Sequence, residues 1–286
     1  MRRILYSLAL TLFASSISVF GQTEKRLPGT IGAFGPVKTM RLENATFTKQ
    51  NGAPVEGPRV LVRTFDVNED GTKQESVVYA TTGQVVQRSV ETYEPDGRVT
   101  EVKLFRGNGD LARRVVTLYD DQKRRTEIVT YGPDGAVVSR TTFRQADNKM
   151  EMEGVAYDAR GAIVNQSRSS TDLKTRQMET TSVTPTGVIQ TQSGSSNKPD
   201  GSHEYQLERS NGEFERVATK TDRPGELNRV NYNRDGTIKS RERYLHEYDS
   251  HHNIIKTLRL EAQGDSGEFE PVQVTYLTFT YYEKKQ

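Results

Sequence analysis

An aromatic residue, a short polar turn and a strand-length run recur down this chain every dozen residues or so. That recurrence limits the fold more than any other feature. The aromatics that precede a turn fall at Phe65, Tyr79, Tyr93, Phe105, Tyr119, Tyr131, Phe143 and Tyr157, in steps of 14, 14, 12, 14, 12, 12 and 14 residues. Each opens a stretch of turn chemistry, such as YEPDG, FRGNG, YGPDG and YDARG. Gly97, Gly135 and Gly161, and further on Gly236, stand where the backbone is expected to need a positive φ, while Pro95 and Pro133 preset φ early in their turns. Between turns come runs such as VTEVKLF, RRVVTLY and TEIVTY, rich in β-branched and aromatic residues and of strand length. No window beyond the N-terminal segment carries a long apolar stripe at helical spacing. The expected fold is all-β: an antiparallel meander of 12–14-residue strand–turn units in an elongated or spiralling sheet. Every step is even, but turns can reset strand parity, so evenness alone does not put the aromatics on one face.

Composition agrees with a thin fold. Only 33% of residues are apolar, 27% are charged and Trp is absent, which leaves little material for a deep core. The first 21 residues read as a secretory signal: Arg2 and Arg3, an apolar run from Ile4 to about Phe13, then small residues at Val19 and Gly21, with cleavage expected before Gln22. Subtracting those two arginines from 40 basic residues leaves 38 against 38 acidic ones. A neutral mature chain has no basic field to collect nucleic acid or anionic lipid. The apolar run is shorter than the roughly 20 residues of a membrane-spanning helix, so no span is expected after cleavage. Cysteine is absent, which excludes thiol catalysis, zinc ribbons and a lipoprotein anchor and fits a periplasmic or secreted location.

Three regions are expected: the signal at 1–21, an extended Pro- and Gly-containing lead-in at 22–58 with a hairpin at FTKQNGAPV, and a β-repeat domain at 59–286. The units lose most aromatics from about Ser167 to Pro199, and SGSSNKPDG (193–201) reads as a flexible joint or a long hairpin loop. They resume at Tyr232 and Tyr248, and the chain closes with the aromatic-rich run VQVTYLTFTYY.

The units YEPDGRVTEVKLF, YGPDGAVVSRTTF, YDARGAIVNQSRS and YNRDGTIKSRERY resemble those of the bacterial YD-repeat (RHS) family. The resemblance covers roughly Phe65 to Leu258. It implies that Tyr93, Tyr119, Tyr131, Tyr157 and Tyr232, with Gly97, Gly135, Gly161 and Gly236, are structural repeat residues of a spiralling sheet. The large members of that family enclose a C-terminal toxin; this sequence shows no self-cleavage core and no toxin-sized tail, so that role does not transfer.

Sites of chemistry are sparse. The densest cluster, HEYDSHH, offers His246, Asp249, His251 and His252 as candidate metal ligands. Its place at a repeat turn makes a solvated turn the plainer reading. Acid pairs such as Glu151 and Glu153 arise by chance among 38 acids, and no residue set implies a cofactor. The expected function is therefore an exported, non-enzymatic β-repeat protein that binds a protein or glycan along its sheet or serves a structural role in the envelope. The alternatives are an outer-membrane β-barrel, against which stand charges in strands such as RVTEVKLF, and an enzyme of unknown type.

Overall fold

The computed structural model describes residues 33–283 apart from 147, 148, 159, 176, 199, 200 and 264–266. The segment read as a signal lies outside the described residues. No helix occurs among them. There are nineteen strands: β1 (Val37–Gln50), β2 (Ala53–Glu56), β3 (Val60–Val67), β4 (Lys73–Tyr79), β5 (Val85–Tyr93), β6 (Val99–Arg106), β7 (Leu111–Tyr119), β8 (Arg125–Tyr131), β9 (Val137–Ala146) and β10 (Lys149–Tyr157). The second half holds β11 (Ile163–Asp172), β12 (Met178–Val183), β13 (Ile189–Asn197), β14 (His203–Arg209), β15 (Phe214–Arg223), β16 (Glu226–Tyr232), β17 (Ile238–Tyr248), β18 (Ile254–Gln263) and β19 (Glu270–Tyr281).

The hairpins are built by one device. In the β8–β9 turn, Gly132 N–H donates to the Ala136 carbonyl and Gly135 N–H to the Gly132 carbonyl. The same two bonds close the turns at Ala80, Glu94, Arg106, Asp158 and Asn233. Gly135 takes φ +83°, and a Cβ built there meets nothing within 4 Å, so the demand for glycine is conformational and not steric. Lys123 and His252 occupy the equivalent position without glycine, at φ 63° and 64°. The turn carboxylates reinforce the device: Asp158 Oδ1 accepts the N–H of Arg160 at 2.8 Å and of Ala162 at 2.9 Å.

From β3 to β19 each strand pairs antiparallel with the next. The ends then meet: β1 pairs with β3 on one side and with β19 on the other, Met40 facing both Phe65 and Phe279. With β2 pairing only with β1, the remaining 18 of 19 strands form a closed ring. Two features correct or complete the sequence reading. Val37–Gln50, within the expected lead-in, is the longest strand and closes the barrel, and its hairpin turns at Asn51–Gly52 as FTKQNGAPV suggests. Ser193–Asn197 of the tract expected as a joint lies in β13, which pairs with β12 from Ile189 to Ser195 and with β14 from Thr191 to Asn197.

Closure also overturns the expected function, an open, non-barrel module presenting its sheet to a partner. No strand edge of the ring is left for augmentation, and one face is enclosed. The barrel alternative is the one that this topology favours.

Candidate functional site: the lumen

Following Cα partners around the ring assigns each strand residue to one of two faces. Phe65, Ser76, Ser89 and Leu104 face one another in series, and Ile128, Thr141, Gly154, Ser167, Ser182 and Thr191 continue the same face. Ser76, Ser89, Thr117, Ser169 and Ser240 all belong to it and are buried, although each is small and none sits under a second layer. Burial alone does not separate the faces, since Ala45, Val129, Ala262 and Val274 on the other face are buried too. A recess of about 550 Å³ spans β14 to β18 on the Ser–Thr face, lined by Leu207, Glu215, Asn231, Ser240, Glu242 and Glu261 among others. This face is the inner wall. Its apolar members divide: Met40, Phe65, Leu207 and Val217 are buried, while Leu104, Ile128, Met152 and Leu227 are only half-buried, so the wall is packed in places and open to water in others.

The inner wall has two chemistries. Across β10 to β12 it is hydroxyl- and amide-lined: Thr180 Oγ1 donates to Ser169 Oγ at 2.9 Å, and Asn165 Nδ2 to Ser182 Oγ at 2.7 Å. Across β16 to β18 it is ionic. Arg229 lies 4.0 Å from Glu242 and Arg259 lies 3.3 Å from Glu261. Asn231 Nδ2 bridges Ser240 Oγ and Glu242. The Tyr244 hydroxyl donates to Glu242, and burial together with that carboxylate pushes the phenol up to about 12. Such a wall can hydrogen-bond and ion-pair with hydrated solutes.

The outer face carries a different pattern, repeated every 26 residues. Glu75, Glu101, Glu127 and Glu153 recur with that spacing, as do Arg88, Arg114 and Arg140, and Tyr79, Phe105, Tyr131 and Tyr157. Each Arg reaches the Glu of the preceding strand: Arg88–Glu75 at 2.6 Å, Arg114–Glu101 at 2.5 Å, Arg140–Glu127 at 2.5 Å. Arg88 also lies over Phe105 and Arg114 over Tyr131, their register partners on the following strand. The sequence steps of 12 and 14 sum to one hairpin of 26, a signal available in the sequence but hidden by reading units singly. The hairpin also separates the tyrosines. Those ending even-numbered strands, Tyr79, Tyr131, Tyr157 and Tyr232, share the outer face at one rim. Tyr93 and Tyr119 share the inner face at the other. Tyr93 is 7% exposed and bonds Glu91, and burial raises its pKa strongly.

The candidate metal residues serve the seam of the ring. The Asp249 carboxylate accepts the N–H of His251 at 2.9 Å and of Asn253 at 2.8 Å, and the Tyr281 hydroxyl at 2.5 Å. His251 packs against the Tyr281 ring at 4.4 Å, His246 Nδ1 meets Thr257 Oγ1 at 2.9 Å on the inner wall, and His252 is an exposed turn residue. Among the described residues no group of three or more His, Asp or Glu could hold a metal ion. Sequence reasoning missed Asn253, 2% exposed, whose side-chain amide binds both the N–H and the carbonyl of Phe34 and also the Tyr281 hydroxyl. No local pattern signals it, because its partners lie 219 and 28 residues away.

No protein-family model matches the chain, and no curated protein matches it. Among solved structures it is similar to a porin-like protein from Bacteroides uniformis, at 8% identity and a TM-score of 0.42 over 85% of this chain and 96% of that one. A porin-like protein from Bacteroides vulgatus gives 9% and 0.30, over 86% and 99%. The TcdB2-TccC3-TEV structure gives 11% and 0.22, over 84% of this chain and 17% of that one. Scores below 0.5 carry no argument, so the barrel rests on its own register.

Proposed function

We propose that the chain is an exported hollow β-barrel of the bacterial envelope that works through its lumen, as a non-enzymatic conduit or container for hydrated solutes. The observation that carries this reading is the closed 18-strand ring with a wetted, hydroxyl-and-ion-lined inner wall. Barrels of this strand number leave an aqueous interior. The signal-like N-terminus supports export, and the tyrosine–turn units support kinship with the YD-repeat family as part of the same proposal. The chain lacks cysteine, so single-Cys variants test enclosure directly. Ser139 lies on the inner face of β9 and Thr142, three residues on, on the outer face. A small maleimide should label Ser139→Cys and Thr142→Cys alike, and a maleimide carried on a folded protein should label only Thr142→Cys. Equal labelling by the bulky reagent would exclude an enclosed lumen.

A second reading, a barrel spanning the outer membrane, is favoured by the absence of a free edge in the ring. The outer Arg–Glu pairs weigh against it, since each Arg facing lipid at mid-bilayer costs about 2–4 kcal/mol and each Glu adds a smaller cost. Planar bilayers decide: stable single-channel steps from the mature chain would establish the spanning barrel, and their absence under conditions where a porin conducts would leave the outer wall in water.

A further inference from the structure

The inner wall does not treat its cations evenly. Among the described residues, every inner arginine between β14 and β18 has a carboxylate at hand. Arg209 pairs with Glu213, Arg229 lies 4.0 Å from Glu242 and Arg259 lies 3.3 Å from Glu261. The outer arginines of β5, β7 and β9 are paired as well. Arg63, Arg106 and Arg113, on the inner wall of β3–β7, form no ion pair with any described residue. Arg63 rests over the ring of its neighbour Phe65 at 5.5 Å; Arg106 and Arg113 are exposed.

Register brings the three together. Leu42, Arg63, Val78, Gln87 and Arg106 form one rung across β1 and β3–β6. Arg113 faces Leu104, two residues before Arg106, so the two arginines are diagonal neighbours with Cα atoms about 7–8 Å apart. The one carboxylate among the described residues on this part of the wall is Glu91, which lies toward the opposite rim and accepts the Tyr93 hydroxyl. Asp110, in the turn between β6 and β7, accepts the Asn108 amide at 2.7 Å and pairs with neither arginine. The 26-residue repeat sets Arg113 apart too. Gln87, Ser139, Asn165 and Thr191 hold the same inner position in their own units, and all four are neutral.

Two neighbouring cations repel each other unless an anion joins them. A guanidinium presents a planar fork of N–H donors that fits carboxylate and phosphate oxygens, and a concave wall of one sign concentrates the opposite ion. We infer that Arg106 and Arg113, with Arg63 and Gln87 beside them, bind the oxyanionic group of a hydrated solute, a carboxylate or a phosphate. The inference rests on the lumen reading and names the class of solute that the lumen takes.

Gln87→Cys places the chain's one thiol on the rung between Arg63 and Arg106. An anionic and a cationic thiosulfonate reagent of similar size modify it at two rates, and the ratio of those rates reads the local field apart from the thiol's own reactivity. The anionic-to-cationic ratio should be at least about fivefold higher at Gln87→Cys than at Asn165→Cys, the equivalent site on the uncharged wall. Arg106→Gln/Arg113→Gln should bring it down to the Asn165→Cys value, with circular dichroism unchanged. Should that double variant fail to fold, Arg113→Gln alone replaces it and should lower the ratio at least about twofold. Inorganic phosphate should slow the anionic reagent at Gln87→Cys more than chloride does at equal ionic strength. Equal ratios at Gln87→Cys and Asn165→Cys overturn the inference, as does phosphate protecting no better than chloride. Labelling of Ser139→Cys by the bulky maleimide would end the lumen reading instead, and the ratios would still decide whether these arginines hold an oxyanion.

Discussion

The stretch β4–β10 and the stretch β11–β13 share a ring, a register, a turn and the outer Glu, kept at Glu179, but not the outer Arg or the aromatic. In the first, the 26-residue unit is kept in full: an outer Glu, an outer Arg, an aromatic at the turn. In the second, the position of Tyr79, Phe105, Tyr131 and Tyr157 is taken by Val183, and that of Tyr93 and Tyr119 by Thr171. Strand pairing continues unbroken through β11, β12 and β13 all the same. The turn glycine also persists, Gly187 having the same φ of +83° as Gly135. Turn and ladder therefore place the strands, and the aromatics add stability where they are buried.

The largest effect expected from this contrast is at the inner rim. Tyr93→Ala removes a buried ring and should cost about 2–4 kcal/mol in urea melts, whereas Thr171→Ala should cost under about 1 kcal/mol. Similar losses at the two positions would make the aromatics incidental to the first stretch as well.

Next come the turns, where the two stretches should behave alike. Gly135→Val and Gly187→Val each force a β-branched residue to positive φ with open space around the new side chain. Each should cost on the order of 1–2 kcal/mol. A penalty confined to Gly135→Val would mean that the turn no longer sets the register in β11–β13.

The outer ion pairs should matter least among the repeat features. Arg88 and Glu75 are both partly exposed, so Arg88→Gln should shift stability by no more than about 1 kcal/mol. A larger loss would show that the Glu–Arg–aromatic unit acts as one body and not as a surface ladder.

The smallest effect is on acid stability. Backbone N–H groups of Ala162 and then Arg160 hold the Asp158 carboxyl below its ordinary range, and Asp120 is lowered first by the N–H of Arg124. A carboxyl depressed in the folded state contributes stability above its unfolded pKa of about 4 and loses it as pH falls through the folded value. Melting temperature should be flat from pH 7 to about 5 and then decline, with the decline shallower in Asp158→Asn. An identical acid slope would show that this turn carboxyl contributes nothing.

Much of this was legible in the sequence. YEPDG or YGPDG encodes its own hairpin, because the positive φ, the Asx bonds and the early Pro are settled within five residues. The all-β meander follows from repeating that unit. HEYDSHH was legible as a turn, but its task was not, because Asp249 and Asn253 act on Phe34 and Tyr281, brought beside them only by closure.

The sequence by itself determined the strand, the turn and the 26-residue hairpin. The tertiary structure alone decided that the meander closes and which face became the wall of a lumen. The reason is physical. A turn is a local equilibrium, settled by a few dihedrals. Closure depends on small twists and register shifts accumulated over the ring until Thr39 meets Thr280, 241 residues away, and no short stretch of sequence carries that sum.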